Sequence, residues 1–572
     1  MLPSSAKVSL GRVIARTVAV SLLFVTLCAA RASVALDSPA AAPPAVNPRI
    51  ELTTGTIAGA NVNAPPRPVR AFLGIPYAAP PIGALRWQAP QPIARWSGIR
   101  QATRFAPRCM QHPNAEQPAR ASHMSEDCLY LNVWAPNPDT DAKRPVLVYF
   151  HGGDLNEGDA SEIRYDGANL AAIGVVTVAV NYRLGVFGFL ALPSSPSESS
   201  SDSARNYGLL DQVAALRWVR DNIAAFGGDP ANVTIAGDFG GAVAVSAHMA
   251  SPLSRGLFAR AVGQSGGAFG RMAPLNRARA EQLALRFAAR VGKSTLPQLR
   301  AMSAEQLLAA TGSPSDRKFF FWPHVDGAFL TDTPEAIFAS GGQTQVPLLL
   351  GTRSRERHSE EVPSEADATP ERWKLALERL FGDQATQALS YYPGGDRAQA
   401  VRSATLLGTD LTVGHAAWRW MSLHRQTGNG SPVYFYLYER MPTSHEGASE
   451  RVEAAAAAPS SDDDTLGNLN LLPHPGWGPD DYRASSVLLR YLIRFVKTGD
   501  PSGPRDNSLG YLSALSLGWP KRLPAWPAVR EERGAIARQR IDVEPQTIWD
   551  PSAARHDFIQ RAIAAQAAKE AS

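Results

Sequence analysis

A chain of 572 residues with 44% hydrophobic and 19% charged residues can bury a large core, and it is too apolar to remain an extended disordered polymer. The formal net charge of +5 is concentrated at the start, where Lys7, Arg12, Arg16 and Arg31 occur with no Asp or Glu in the first 35 residues; without those four the formal charge is +1. What is left has no cationic excess that would imply a nucleic-acid partner or an anionic membrane surface.

The basic residues precede an apolar run from Thr17 to Ala30 and then small residues through Ala35. That succession predicts a secretory signal peptide over 1–35, hence a secreted or periplasmic protein. An apolar run of about 14 residues is too short to cross a bilayer, so no membrane span is expected after cleavage. Cys28 follows Val25-Thr-Leu27, without the small residue that a lipoprotein signal places before its cysteine. Pro39, Pro43, Pro44 and Pro48 mark 36–48 as a semi-extended linker. A single folded domain is expected over 49–565. Cys109 and Cys128, the two cysteines beyond the signal, are most simply paired in an oxidising compartment.

Within that domain, Pro145–Phe150 and Val175–Val180 are continuous apolar, β-branched runs, as expected of strands buried on both faces of a parallel sheet. Asp211–Ala225 has helical spacing, with Ala215, Leu216, Val219 and Ile223 on one face, and Asn232–Ala236 resumes a strand. This β, α, β succession predicts an α/β fold with a large, mostly parallel central sheet covered by helices on both faces. No internal repeat is evident, which sets solenoids and propellers aside. Ala454–Ala458, followed by a Pro/Ser/Asp tract to Asp464, reads as an exposed loop or a frayed helix. No metal or cofactor is predicted.

Seven motifs occur in order: FLGIPYAAPPIGALRW from Phe72, SEDCLYLNVW from Ser125, NYRLGVFGFL from Asn181, NYGLLDQ from Asn206, FGGDP from Phe226, KTGDP from Lys497 and LPAWP from Leu523. Their order and spacing resemble the carboxylesterase type-B family, which includes the cholinesterases, over roughly Arg49 to Asp550. The resemblance implies an α/β-hydrolase fold with insertions. It also implies a serine on a sharp strand-to-helix turn, a histidine that takes its proton, an acid that orients the histidine, and backbone N–H groups that stabilise an oxyanion.

Against that pattern the sequence departs at the nucleophile, in the oxyanion segment, at the histidine and beside a retained glutamate. The nucleophile turn resembles Gly237-Asp-Phe239-Gly240-Gly241, so Phe239 stands where serine belongs and offers no nucleophilic atom. The flanking glycines are expected for the turn and for close strand-to-helix packing. Ser265, in Gly263-Gln-Ser-Gly-Gly267, matches the same pattern but resembles the next strand of the family, where the serine hydrogen-bonds near the catalytic acid. The oxyanion segment resembles His151-Gly-Gly153-Asp154, with Asp154 in place of a glycine. The N–H groups of Gly153 and Gly240 remain available as donors. A carboxylate about 4 Å from a developing oxyanion costs about 4 kcal/mol at an effective dielectric near 20, unless its side chain turns away. The acid resembles Glu356, with Arg355 and Arg357 beside it, which suits an ion-paired structural residue better than a histidine orienter. Counting from Val433–Tyr436 and from Gly467–Leu469 puts the histidine position within Ala454–Ala458, where none exists; His445 could serve only with both neighbouring loops re-measured.

Linked losses at distant positions are expected together once ester hydrolysis no longer constrains a site. The sequence therefore predicts an esterase-like protein without ordinary serine-esterase activity, holding a small apolar ester-like ligand or a protein partner. The alternative is an active hydrolase that uses Ser265, His445 or Glu356.

Overall fold

The apolar runs become the centre of a 12-stranded sheet. In the computed structural model, residues 47–571 are described except for 65, 114–119, 122, 139–142, 194–204, 313–317, 355, 357, 358, 360, 441–477 and 505–522. The expected signal peptide, the linker up to residue 46, His445 and Ala454–Ala458 lie outside the described residues.

The sheet strands in chain order are β1 (Ala60–Val62), β2 (Val69–Pro76), β3 (Tyr130–Pro136), β4 (Arg144–Phe150), β5 (Val176–Val180) and β6 (Gly228–Asp238). They continue with β7 (Arg260–Gln264), β8 (Leu348–Arg353), β9 (Val433–Tyr438), β10 (Glu531–Glu532), β11 (Ala535–Ile541) and β12 (Gln546–Asp550). Across the sheet the order is β10-β11-β9-β8-β7-β6-β4-β5-β3-β2-β1, with β12 paired to β11. From β5 through β11 every neighbour pair is parallel, and the outer strands are antiparallel. This is the α/β-hydrolase architecture.

Because side chains alternate along a strand, each strand feeds two cores. Val178, Val148, Ile235, Ala261, Leu348 and Val433 lie in register across six strands and belong to one buried cluster. Their chain neighbours Leu147, Ala236, Val262, Leu349 and Tyr434 belong to the cluster on the opposite face. Helices α1 (Tyr207–Asn222) and α2 (Gly240–Ala250) pack into the first core. The insertion between β8 and β9 includes α3 (Pro370–Phe381), α4 (Arg397–Thr409) and α5 (His415–Thr427), and α4 joins α5 through a π-turn, Asp410–Gly414. Helix α6 (Pro479–Thr498) then covers the second core through Val487, Leu488 and Phe495. A third cluster joins Trp373, Leu377 and Leu407 of the insertion to Phe558 and Ile559 of the closing helix α7 (Ala553–Ala571).

Local readings were right in kind and short at their ends. Helix α1 begins at Tyr207, four residues before the expected Asp211, and passes into a 3-10 turn over Ile223–Phe226. Asn206 and Gly208 suggest a loop in isolation, but Asn206 Nδ2 donates to His324 O at 2.8 Å and Gly208 lies against Arg183 O and the Phe189 ring. Strand β6 extends from Gly228, with a register shift before Val233. Ordered pairing begins at Pro48, whose carbonyl accepts from Gly59 N at 2.9 Å.

Cys109 and Cys128 form a disulfide with Cα atoms 5.0 Å apart and a sequence separation of 19. Closing a loop of that size restricts the unfolded chain, so Cys109→Ser is expected to lower stability by about 3 kcal/mol, measured by urea unfolding with and without reductant. The parent should lose a similar amount on reduction, and the variant nothing further.

Candidate active site

The carboxyl ends of β4, β6, β7 and β8, adjacent and parallel, bring Asp154, Phe239, Ser265 and Glu356 to one edge of the sheet, where ligands of open α/β sheets bind. Strand β6 stops at Asp238, helix α2 starts at Gly240, and Phe239 between them has φ 46° and ψ −110°. A side chain in that region of backbone space is strained by about 1–3 kcal/mol. The turn is held by Phe239 N donating to Gln264 O and Val243 N donating to Phe239 O, both at 3.0 Å. A β-carbon on Gly240 would lie 2.8 Å from Leu155 N and 2.9 Å from Asp154 N, so the oxyanion loop rests against the first turn of α2. The strand-turn-helix geometry of a nucleophile elbow is thus intact, and it presents a half-buried phenyl ring.

After β4 the chain passes through Gly153, Asp154 and Leu155 with φ of 92°, 52° and 55°. Asn156 N and Glu157 N both donate to Gly153 O at 3.0 Å, and Asn156 Nδ2 donates to Asp154 O at 2.7 Å, which fixes the loop. Gly152 N is committed to Tyr165 Oη at 3.0 Å, and that hydroxyl in turn faces Asp238 Oδ1 at 3.3 Å. Among the described residues, the N–H groups of Gly153 and Gly240 meet no backbone acceptor outside the regular elements. His151 is buried and stacked on Tyr182 at 4.3 Å, and burial lowers its pKa despite the raising influence of the Gly152 carbonyl, Asp159 and Asp238.

Ser265 is 1% exposed, and its Oγ donates to Glu356 Oε1 at 2.7 Å. Its hydroxyl is therefore engaged by the acid. The other partner of Glu356 is Arg353, which the sequence reading passed over: Arg353 N donates to Oε1 at 2.8 Å, and Nη2 pairs with Oε2 at 3.1 Å. Arg355 and Arg357, the expected partners, lie outside the described residues. The signal was present, since Arg353 stands where the family has asparagine in Gly-Thr-Asn. Glu356 N also donates to Thr409 Oγ1 at 3.4 Å, tying the acid to the end of α4.

Among the described residues no histidine hydrogen-bonds Glu356. His248, on α2, is locked between Ser254 Oγ at 2.7 Å and Gln212 Oε1 at 2.8 Å, and burial pushes it down to about 3. Strand β9 runs parallel to β8 and ends on the same edge, and the segment in which both His445 and Ala454–Ala458 fall follows it. The carboxyl ends of β4, β6 and β8 thus carry the backbone N–H groups of Gly153 and Gly240, the Phe239 ring and a carboxylate paired with Arg353.

Residues 46–548 match the model of the carboxylesterase family. The para-nitrobenzyl esterase of Bacillus subtilis is 37% identical over 81% of this chain and 90% of its own. The fumonisin B1 esterase of Sphingopyxis macrogoltabida is 36% identical over 65% of this chain and 68% of its own, and the acetylcholinesterase of Bungarus fasciatus is 32% identical over 80% of each. A solved PNB esterase structure superposes with a TM-score of 0.70, at 30% identity, covering 90% of this chain and all of the other.

Proposed function

The chain belongs to the carboxylesterase family, and from that premise we propose that it is a secreted, esterase-like binding protein without ordinary serine-esterase activity. Phe239 in the nucleophile's strained turn carries this reading: the phenyl ring has neither a lone pair to attack a carbonyl nor a proton to surrender. The pairing of Glu356 with Arg353 supports it, because a carboxylate so engaged is occupied by structure. The donors at Gly153 and Gly240 and the phenyl floor suit a small apolar ligand with one carbonyl group, such as an ester that binds and leaves unchanged. The named substrates of the relatives are all esters, which agrees with that ligand class.

The purified protein should therefore hydrolyse activated aryl esters no faster than the Phe239→Ala variant. It should also gain no mass on incubation with a serine-reactive phosphonate, followed by intact-protein mass spectrometry. Turnover with a phosphonate adduct on Ser265, abolished by Ser265→Ala, would overturn the proposal and make the downstream Gly-x-Ser-x-Gly the working elbow.

A further inference from the structure

Behind the acid loop, a group of buried polar side chains joins the closing helix to the π-turn, and nothing in the candidate site uses it. His415, the first residue after the π-turn, and His556, on α7, are 2% and 3% exposed. Their rings lie 5.8 Å apart, and His556 stacks on Trp418 at 5.0 Å. His415 Nε2 pairs with Gln560 Oε1 at 2.7 Å, so that nitrogen carries the proton and Nδ1 is bare. Among the described residues Nδ1 of neither histidine has a hydrogen-bond partner. A π-turn in this position is unusual in itself, since such turns are rare and concentrate at functional places.

We propose that helix α7 is an acid-released latch: protonation of His415 and His556 drives the helix off the π-turn. The carboxylates that face the pair are already engaged by other groups. Asp410 Oδ2 already accepts from Tyr392 Oη at 2.7 Å and pairs with Arg555 at 2.8 Å, while Asp550 pairs with Arg538 at 2.7 Å. Asp410 Oδ1 is 4.0 Å from His556 Nε2. Arg419, on α5, adds a further positive charge and is itself paired with Glu335. Asp557 is exposed.

Burial pushes His415 down to about 4 and His556 well below the ordinary 6.5, the latter helped by Arg555, His415 and Arg538. A histidine whose folded pKa is depressed gives stability that is complete above the unfolded value. That stability is lost as pH falls, here from 6.5 toward 4. The helix that would leave carries Phe558 and Ile559 out of the cluster with Trp373 and Leu377. The π-turn it leaves adjoins Thr409, which receives the Glu356 N–H. The latch does not depend on whether Phe239 abolishes catalysis.

Hydrogen exchange on the full chain, corrected for intrinsic rates, tests this between pH 7 and pH 5. Protection of peptides within 553–571 should fall roughly tenfold or more, while peptides within 176–180, a buried strand without histidine, stay protected. His415→Gln, which can still bond Gln560, and His556→Phe, which keeps the stack on Trp418, should each flatten that pH dependence. The wild-type profile stands as a test if either variant fails to fold. Three results would overturn the latch: constant or rising protection of α7 in acid, which includes a new His556–Asp410 ion pair; loss of β5 together with α7; or variants that open over the same pH range as the parent.

Discussion

Glu356→Ala is expected to destabilise the protein by about 3–5 kcal/mol, because it removes the buried carboxylate that the Arg353 guanidinium pairs with and strips the Ser265 hydroxyl of its acceptor. The Glu356 side chain is fully buried and that of Arg353 is 10% exposed, so solvent screens the pair little. Replacing both partners with apolar groups, as in Arg353→Met with Glu356→Leu, should recover most of the loss, since desolvating two charges offsets much of their attraction. Urea unfolding of the two variants beside the parent gives the comparison. A loss below about 1 kcal/mol in Glu356→Ala would show that the carboxylate is not held as a structural ion pair. The sign also separates the two functional readings: an acid kept for catalysis is commonly held at some cost to stability, whereas one kept for structure is not.

The second large effect is at the elbow and sets the backbone against the side chain. Gly241→Ala should remove more than about 4 kcal/mol and deplete folded protein on expression, because the new β-carbon would meet the Phe150 carbonyl oxygen, a backbone atom of β4 that cannot step aside. Phe239→Ser, one position from Gly240 in the same turn, should fold normally, since a smaller side chain at a half-buried site demands no rearrangement. Its ester hydrolysis should stay about a thousandfold or more below that of an enzyme with a complete triad, because the new hydroxyl would have no base to take its proton. Rates near those of competent esterases in Phe239→Ser alone would mean that a base is already in place, and His445 would be the first residue to test. Normal folding of Gly241→Ala would mean that α2 and β4 are less closely packed than the geometry requires.

The elbow also shows why part of the site could be read from the chain and part could not. Motif order sufficed for the family, and the position of Phe239 followed from the glycines around it, since a turn this tight between a strand and a helix admits few alternatives. Asp154 and Glu356 follow in the same way, four and three residues beyond the ends of β4 and β8. All of these are local: a strand end, a turn and the residue types that a turn tolerates.

The partners were another matter. Arg353 and Glu356 are only three residues apart, yet whether the guanidinium turns back onto the carboxylate depends on the loop after β8, and the chain by itself points to the nearer Arg355 and Arg357. Ser265 and Glu356 are 91 residues apart, and they meet because β7 and β8 are parallel neighbours with a common end. The stack of His415, Trp418 and His556 joins the last helix to the middle of the chain and left no spacing signal at all. The sequence alone determined the family and the tight turn that carries Phe239, because backbone geometry imposes its residue preferences over a few positions. Only the tertiary structure decided what each buried charge is paired with, because a side chain several ångströms long can meet whichever element the fold sets beside it.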